Sequence, residues 1–372
     1  MSVRALIVFG TRPEAIKMSP VVHECQRRDD IETVVCLTGQ HKEMLEQVTD
    51  YFGITADEHL NVMSPNQTLA TLTARCVERI DATLEKVKPD CILAQGDTTT
   101  VMAASLAAFY RKVPLLHVEA GLRTGDLYAP WPEEFNRRVT SIVAAIHCAP
   151  TERSKNNLLN ESVDPATVHV TGNTVIDALL WTVDRERKNS DAWKKQYSWL
   201  KDRMVLVTGH RRENFGGGFR NICAAIKKLA TAFPDVDFVY PVHLNPNVQG
   251  PVSELLSGLG NVHLLPPKAY PEFVWLMDQA TVLLTDSGGV QEEAPSLRKP
   301  ILVMRDTTER PEAVAAGAVE LVGTQTQRIV DAVTLLLTNN TEYERRQIDS
   351  NPYGDGQASI RIADLIARQA WT

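Results

Sequence analysis

The sequence predicts an α/β protein made of two doubly wound domains. Short runs of Val, Ile and Leu bounded by Gly, Pro or Asp alternate with longer helix-period segments, as in β-α-β units of a parallel sheet. The same alternation fills both halves of the chain. The 372 residues exceed what one hydrophobic core usually organises, so two domains with a central cleft are expected.

The elements follow from these runs in chain order. The first half contains strand-like runs at 4–9, 33–38, 91–95, 114–118 and 168–171, with helical periodicity at 13–28, 41–52, 68–87, 98–111, 133–144 and 151–159. The second half contains strand-like runs at 204–208, 237–241, 262–265, 282–285 and 301–304, with helical periodicity at 217–232, 250–257, 270–279, 289–297, 310–315 and 325–338. We therefore predict a first domain over 1–172, a second over 173–356, and a final helix over 357–372 that crosses back onto the first.

Composition narrows the class of protein. The net charge is −7, and no run of Lys and Arg is long enough for a nucleic-acid or membrane-surface partner. Six cysteines form no C-x-x-C pair and no metal-ligand spacing, so we expect reduced core thiols and no metal. The apolar N-terminal run is too short for a secretory signal, and no segment approaches 18 apolar residues. These features predict a soluble cytoplasmic enzyme or binding protein.

Three carboxylates indicate acid/base chemistry. Asp97 and Glu119 directly follow apolar strand-like runs, where an open α/β sheet forms its ligand crevice, and Glu133 lies on the proline-rich loop that comes next. Local roles are equally compatible with the sequence. Asp97 could cap the following helix, and Glu133 could favour the helix dipole and pair with Arg137 at i,i+4.

The first strand leads into a possible anion site. Pro13 at the first helical position would leave helix N–H groups free for an anion, and Arg12 and Lys17 add positive charge. The segment is not G-x-G-x-x-G, and no acidic residue closes the second strand, which disfavours a nicotinamide site. A plain helix start with surface cations explains the same residues.

Two further motifs lie at strand ends of the second half. Ser287, Gly288 and Gly289 could bring backbone N–H groups and a hydroxyl to a diphosphate, with Glu293 placed to accept from ribose hydroxyls. The alternative is a simple turn and cap. His210, beside two arginines, could donate to a phosphate or carry a proton, although a histidine in such a place is often structural.

These motifs together resemble the bacterial non-hydrolysing UDP-N-acetylglucosamine 2-epimerases, and the likeness runs from the first strand to the last turn. The segments that carry it are Gly10-Thr-Arg-Pro-Glu-Ala-Ile-Lys17, Gln95-Gly-Asp-Thr-Thr-Thr100, His117-Val-Glu-Ala-Gly-Leu-Arg-Thr-Gly-Asp126, Pro130-Trp-Pro-Glu-Glu-Phe-Asn-Arg137, Thr208-Gly-His-Arg-Arg-Glu-Asn214, Asp286-Ser-Gly-Gly-Val-Gln-Glu-Glu293 and Arg305-Asp-Thr-Thr-Glu-Arg-Pro-Glu312. The resemblance implies a glycosyltransferase-B-like fold of two Rossmann-like domains, a homodimer, and no metal or nicotinamide cofactor.

The resemblance also implies a reaction and a set of site residues. UDP-N-acetylglucosamine would lose its carbon-2 proton and UDP, and re-addition of UDP would give UDP-N-acetylmannosamine for surface polysaccharides. The implied acid/base residues are Asp97, Glu119 and Glu133, with His210 and Arg137 assisting. The implied UDP contacts are Arg12, Lys17, Phe273, Ser287, Gly288, Gly289, Glu293 and Arg310, with Lys268 standing where some relatives have Gln.

A second molecule of UDP-N-acetylglucosamine is implied as an activator beside the substrate. Its expected contacts are Gln40, His41, Gln67, Glu134, Arg211 and His243. Asn66 stands where other members place an Arg. Two other functions use the same fold: a retaining glycosyltransferase, which needs no proton abstraction at carbon 2, and a non-catalytic nucleotide-sugar sensor.

Overall fold

The computed structural model describes residues 2–39, 42–369 and 371. The chain divides into two compact units, which we call unit 1 (Met1–Ala178 with Gly354–Thr372) and unit 2 (Leu179–Tyr353). Each unit has its own parallel sheet with helices in the connections. This confirms the predicted fold class of two doubly wound α/β domains.

Unit 1 is built on a parallel sheet of seven strands within its described residues. The strands are β1 (Val3–Phe9), β2 (Ile31–Leu37), β3 (Glu58–His59), β4 (Cys91–Gln95), β5 (Leu115–Val118), β6 (Ile146–Ala149) and β7 (Val168–Val170), in the order β3-β2-β1-β4-β5-β6-β7. The central strands β1 and β4 are mostly apolar and buried, with Arg4 and Gln95 as their polar residues, as expected for a sheet covered on both faces. In this order, the strands run from β1 outward to β3 on one side and from β4 outward to β7 on the other, so the direction of winding reverses between β1 and β4.

The helices of unit 1 cover this sheet. They are α1 (Arg12–Gln26), α2 (Lys42–Phe52), α3 (Leu69–Val87), α4 (Thr99–Arg111), α5 (Glu133–Val143), α6 (Glu152–Asn160) and the final helix α16 (Ala358–Arg368). Helix α7 (Thr174–Lys188) begins in unit 1 and continues into unit 2. Helix α16 lies in unit 1, where Asp364 pairs with Arg28 at 2.6 Å and Asp177 accepts from the N–H of Ser359 at 2.8 Å.

Unit 2 repeats the same winding. Its described strands are β8 (Met204–Thr208), β9 (Asp237–Pro241), β10 (Val262–Leu265), β11 (Val282–Thr285), β12 (Ile301–Val303) and β13 (Val319–Leu321), all parallel, in the order β10-β9-β8-β11-β12-β13. Its remaining helices are α8 (Ser190–Gln196), α9 (Gly217–Ala232), α10 (Pro246–Leu256), α11 (Tyr270–Gln279), α12 (Gly288–Glu293), α13 (Pro311–Ala315), α14 (Thr326–Thr338) and α15 (Asn340–Arg345). Here the strand order reverses between β8 and β11.

Three strands were not predicted: β3, β6 and β13. Two of them have two or three residues, and β6 carries His147 in a buried position. All six cysteines are buried free thiols. Within the described residues, no helix is both long enough and apolar enough to span a membrane.

Candidate functional site

The strand reversals locate one crevice in each unit, because ligands of doubly wound sheets bind outside the carboxyl ends of the strands where the order reverses. In unit 1 this point lies between the ends of β1 and β4, next to β5. Gly96 donates its N–H to the carbonyl of Val118, which sets the exits of β4 and β5 side by side. Asp97 and Glu119 therefore follow neighbouring strand ends.

Asp97 is held by helix α5 and does not cap α4. Its Oδ2 accepts from Arg137 Nη2 at 2.5 Å, and its backbone carbonyl accepts from Asn136 Nδ2 at 2.9 Å. The cap of α4 is Thr98, whose hydroxyl accepts from the N–H of Val101. The alternative reading of Asp97 as a helix cap is therefore wrong, and its carboxylate remains partly exposed beside a buried guanidinium.

Glu119 is held by its own cation. Lys17 Nζ lies 2.7 and 2.6 Å from its two carboxylate oxygens, and Gln95 Nε2 also donates to it. The backbone of Glu119 adopts the left-handed conformation, with φ of 63°. A non-glycine residue in this region costs on the order of 1–3 kcal/mol, and such strain is concentrated at functional sites.

Arg137 and Glu134 form a buried ion pair, and Arg137 also bonds Asp97. Glu134 is completely buried and accepts from Arg137 Nη1 at 3.1 Å, from Arg138 Nε at 3.0 Å and from a backbone N–H. The alternative in which Glu133 pairs with Arg137 at i,i+4 is therefore wrong, since Arg137 bonds Glu134 and Asp97. Glu133 opens α5 half-exposed, and no hydrogen bond to its carboxylate is present among the described residues.

The start of α1 offers fewer donors than the sequence indicated. Thr11 caps the helix by accepting from the N–H of Glu14, while Glu14 Oε2 accepts from the N–H groups of Gly10 and Thr11 at 2.9 and 2.7 Å. The other oxygen of Glu14 accepts from Thr98 Oγ1 at 2.5 Å. Burial raises the pKa of Glu14, and these hydrogen bonds oppose the rise. The N–H groups of Gly10, Thr11 and Glu14 are therefore already bonded within the chain, and Pro13 is the second residue of the helix and not the first, as was predicted.

Unit 2 contains a cavity of about 240 Å³ at the exits of β8 and β11. It brings together several residues that the resemblance implied for substrate binding. The predicted residues that line it are Lys268, Phe273, Ser287, Gly289 and Glu293, together with His210 and His243. The His210 and His243 rings stack with centroids 5.4 Å apart, although the two residues were predicted for different ligands. Burial lowers the pKa of His210, and the charge of Asp286 opposes this effect.

Two guanidinium groups flank the glycine pair. A Cβ added to Gly288 would lie 3.7 Å from a terminal nitrogen of both Arg211 and Arg310. Arg310 Nε pairs with Glu292 at 2.5 Å, whereas Arg211 Nε is buried without a hydrogen-bond partner in the described part of the chain. Two guanidinium groups around a bare backbone fit a diphosphate, because arginine forms paired hydrogen bonds to phosphate oxygens.

The acidic and basic residues near Phe273 are tied to neighbours. Glu293 Oε1 accepts from the hydroxyl of Tyr270 at 2.8 Å. Lys268 Nζ lies 3.2 Å from Glu272 and 5.8 Å from the ring centroid of Tyr197. These contacts fix both side chains at the cavity wall.

The residues predicted for the activator are distributed over the molecule. Gln40 and His41 lie outside the described residues. Gln67 lies in unit 1, where its Oε1 accepts from Ser64 and Arg75, and Glu134 is buried as described above. His243 and Arg211 belong to unit 2.

Sequence reasoning missed roles for Glu14, Gln95 and Asp286. The T-x-x-E spacing of Thr11 and Glu14 is a capping-box signature that could have revealed the first. Asp286 directly follows an apolar strand, like Asp97, but nothing local indicates that its partners lie more than 70 residues away. Among the described residues, no group of three or more His, Cys, Asp or Glu is arranged to hold a metal.

Comparison with known proteins shows the family. The family model described as UDP-N-acetylglucosamine 2-epimerase matches residues 23–367. The UDP-N-acetylglucosamine 2-epimerase of Yersinia pestis is 55% identical over 368 residues, covering 98% of each chain, and that of Escherichia coli K12 is 54% identical over 369 residues with the same coverage.

Solved structures agree. The crystal structure of the Neisseria meningitidis UDP-GlcNAc 2-epimerase bound to UDP-GlcNAc has a TM-score of 0.91 and 52% identity, covering 98% of this chain and 100% of that one. The Methanocaldococcus jannaschii enzyme in complex with UDP-GlcNAc and UDP has a TM-score of 0.81 and 34% identity, with the same coverage. The resemblance inferred from the motifs is confirmed, as is the glycosyltransferase-B-like fold class. The chain belongs to the UDP-N-acetylglucosamine 2-epimerase family, a family of isomerases.

Proposed function

We propose that this protein interconverts UDP-N-acetylglucosamine and UDP-N-acetylmannosamine by eliminating UDP to give 2-acetamidoglucal and then adding UDP back. The observation that carries the proposal is the pair of strand-end carboxylates, Asp97 and Glu119, each with its own cation, Arg137 and Lys17. Inversion at carbon 2 requires a proton to leave one face and return to the other, so at least two acid/base groups are needed. A simple glycosyl transfer requires no proton abstraction at carbon 2.

The reaction needs a proton-transferring set and a diphosphate site. For the first, one of Asp97, Glu119 and Glu133 takes the carbon-2 proton as the bond from carbon 1 to the UDP oxygen breaks, and the electron pair of that bond leaves with UDP. A second group of this set delivers a proton to the opposite face during re-addition. For the second, Arg211, Arg310 and the Ser287 to Gly289 backbone stabilise the diphosphate, whose charge increases as it departs.

The test is incubation with UDP-N-acetylglucosamine in deuterated water, followed by NMR. Deuterium at carbon 2 and accumulation of UDP-N-acetylmannosamine support the proposal. Unchanged substrate without exchange, also at high substrate concentration, would contradict it. Sugar transfer to an added acceptor without exchange would indicate a glycosyltransferase.

Asp97→Asn provides the matching variant. It keeps the size of the side chain but removes its capacity to take a proton, so turnover should fall by about 10²-fold or more while UDP affinity changes little. Asp81→Asn is the control, because Asp81 pairs with Arg111 on the exposed surface. Equal turnover in Asp97→Asn and the control would remove Asp97 from the acid/base set.

We also propose activation by a second UDP-N-acetylglucosamine molecule. Arg211 and the exposed His243 also line a second cavity of unit 2 together with Asn245, so a further diphosphate could bind next to the first, with Arg211 between the two. Activation predicts a sigmoidal dependence of rate on substrate, and His243→Ala should make that dependence hyperbolic. A hyperbolic wild-type curve would contradict the proposal.

A homodimer is supported by exposed apolar side chains on α4 and α5. Phe109, Tyr110, Phe135 and Ile142 are 63, 67, 49 and 85% exposed. Apolar surface of this kind marks association sites. Ile142→Asp should shift the mass measured by light scattering toward the monomer, whereas a monomeric wild-type protein would contradict the proposal.

The remaining proposals concern the setting of the reaction. Six free, buried cysteines fit a reducing cytoplasm, where disulfides are rare. UDP-N-acetylmannosamine is an activated sugar, so we propose that glycosyl-transfer reactions of surface-polysaccharide synthesis consume it. Loss of acetylmannosamine from surface polymers after deletion of the gene would test this.

A further inference from the structure

Asp286, which follows β11, is a completely buried carboxylate without a role in the mechanism so far. Its Oδ2 accepts from the N–H groups of His210 and Arg211 at 2.9 and 2.8 Å and from Asn214 Nδ2 at 3.3 Å. These bonds fix the loop after β8, but they use only one of the two oxygens.

The second oxygen, Oδ1, is buried without a hydrogen-bond partner among the described residues. A buried carboxylate oxygen without a donor is costly and requires an explanation. His210 Nδ1 lies 3.5 Å away, longer than the 2.7–2.9 Å typical of a charge-assisted bond. The imidazole is partly exposed, and a ring rotation that shortens this distance by about 0.6–0.8 Å would complete the bond.

We propose that Asp286 is a positioning residue for His210, accepting a hydrogen bond from Nδ1–H and stabilising the imidazolium so that Nε2–H can donate to the departing diphosphate. The inference rests on the proposed function, because it assigns the diphosphate to the cavity that His210 shares with Ser287 and Gly289. A neutral Nδ1–H imidazole would present only a lone pair on Nε2, so the donor exists only in the charged form.

The surroundings of His210 otherwise disfavour its charge. Among the described residues, the groups around it are Asp286, His243 after β9, Lys268 and Glu293 on the walls of the shared cavity, and Arg211, Arg212 and Glu213 on its own loop. Burial, Arg211 and His243 lower the pKa of His210, whereas the negative charge of Asp286 raises it. Asp286 therefore supplies the negative charge that favours protonated His210, the form in which Nε2–H can donate, beside the positive charge of Arg211.

The principal variant is Asp286→Asn. The amide oxygen can still accept from the two backbone N–H groups, while NH₂ replaces Oδ1 opposite His210. The titration midpoint of His210, followed by NMR, should fall by about one pH unit or more, as expected when an adjacent opposite charge is lost. Because the protonated form is active, the alkaline limb of the kcat profile should move to lower pH by the same amount, with KM changing less than kcat.

Two further variants separate positioning from structural support. Asn214→Ala removes a donor to the same carboxylate without changing its charge, so it should lower the melting temperature but leave the titration midpoint of His210 in place. In a His210→Asn background, Asp286→Asn should cause no further loss of kcat. An unchanged midpoint in Asp286→Asn, or a full additional loss of kcat in the double variant, would overturn the inference.

The wild-type protein supplies a test that does not depend on the folding of any variant. The ¹⁵N shifts of neutral His210 should show the Nδ1–H tautomer, and the Nε2–H tautomer would overturn the inference. These NMR measurements require no turnover. Absence of epimerisation would therefore contradict the proposed function, while the spectra alone decide the pairing of His210 with Asp286.

Discussion

Two buried histidines in neighbouring strands should make unit 1 sensitive to mild acid. His117 on β5 and His147 on β6 are paired in register and have 0 and 2% exposure. In both rings Nδ1 is buried without a partner among the described residues. Burial lowers the pKa of each imidazole to about 4, since a proton would place an unpaired charge in the interior.

The direction of this pH effect on stability follows from the number of protons bound by the folded and the unfolded chain. Below its ordinary pKa of about 6.5 an exposed histidine binds a proton in the unfolded chain, while the folded chain keeps the ring neutral until pH approaches 4. Stability is therefore present above pH 6.5 and is lost as pH falls through this window. With about 1.4 kcal/mol for each tenfold change in proton affinity, each ring removes roughly 2 kcal/mol from the unfolding free energy between pH 7 and pH 5.

The assay is hydrogen exchange measured by mass spectrometry on peptides from β5 and β6, corrected for intrinsic rates at each pH. His147→Leu has nearly the same volume and cannot titrate, so its loss of opening free energy from pH 7 to pH 5 should be smaller than that of the wild type by roughly 2 kcal/mol. His169→Leu on β7 is the control, which should retain the larger loss because His147 is still present. Equal losses in His147→Leu and the wild type would refute the reasoning.

Three further predictions concern single contacts. Lys17→Met removes the cation from a mostly buried ion pair, so unit 1 should lose about 3 kcal/mol of stability in thermal unfolding and turnover should fall, whereas an unchanged melting temperature would contradict the assignment. Gly121→Ala places a Cβ 2.2 Å from a carbonyl oxygen of α6, so it should lower the melting temperature more than Gly125→Ala, because Gly125 has a similar positive φ, 88° against 92°, but open space around it. Arg211→Met should weaken UDP binding about tenfold or more in calorimetry, while Arg212→Met, a change to its exposed neighbour, should not.

The sheets were predictable wherever burial on both faces left an uninterrupted apolar run. The strands β1, β4 and β8 are of this kind, with five or more consecutive residues that are mostly buried. Strand β6 was not predicted because His147 interrupts its apolar pattern. This histidine is buried by tertiary packing, which the local sequence does not reveal. Strands β3 and β13 are too short to produce a period.

The candidate site was predictable in position but not in its contacts. Strand ends follow from the apolar runs, so Asp97 and Glu119 could be placed at one edge of the sheet. Their partners could not, because Lys17 lies 102 residues from Glu119 and Arg137 lies 40 residues from Asp97. The local i,i+4 spacing instead suggested a pair between Glu133 and Arg137. Arg137 bonds Glu134 and Asp97 because it lies on the buried face of α5, which the spacing does not reveal.

The two strand reversals share an arrangement that disfavours the usual way of binding a dinucleotide. In a dinucleotide-binding fold, N–H groups after the first strand receive the pyrophosphate. In unit 1, Glu14 takes the N–H groups of Gly10 and Thr11, and in unit 2, Asp286 takes those of His210 and Arg211.

A pyrophosphate at either loop would have to displace a buried carboxylate and would be repelled by its charge. In the proposed function, the diphosphate is therefore held by side-chain cations and by the glycine pair after β11, where Arg211 and Arg310 lie. This distribution suits the proposed elimination and re-addition of the diphosphate, because the arginine side chains can follow the departing oxygen while each carboxylate keeps its loop in place.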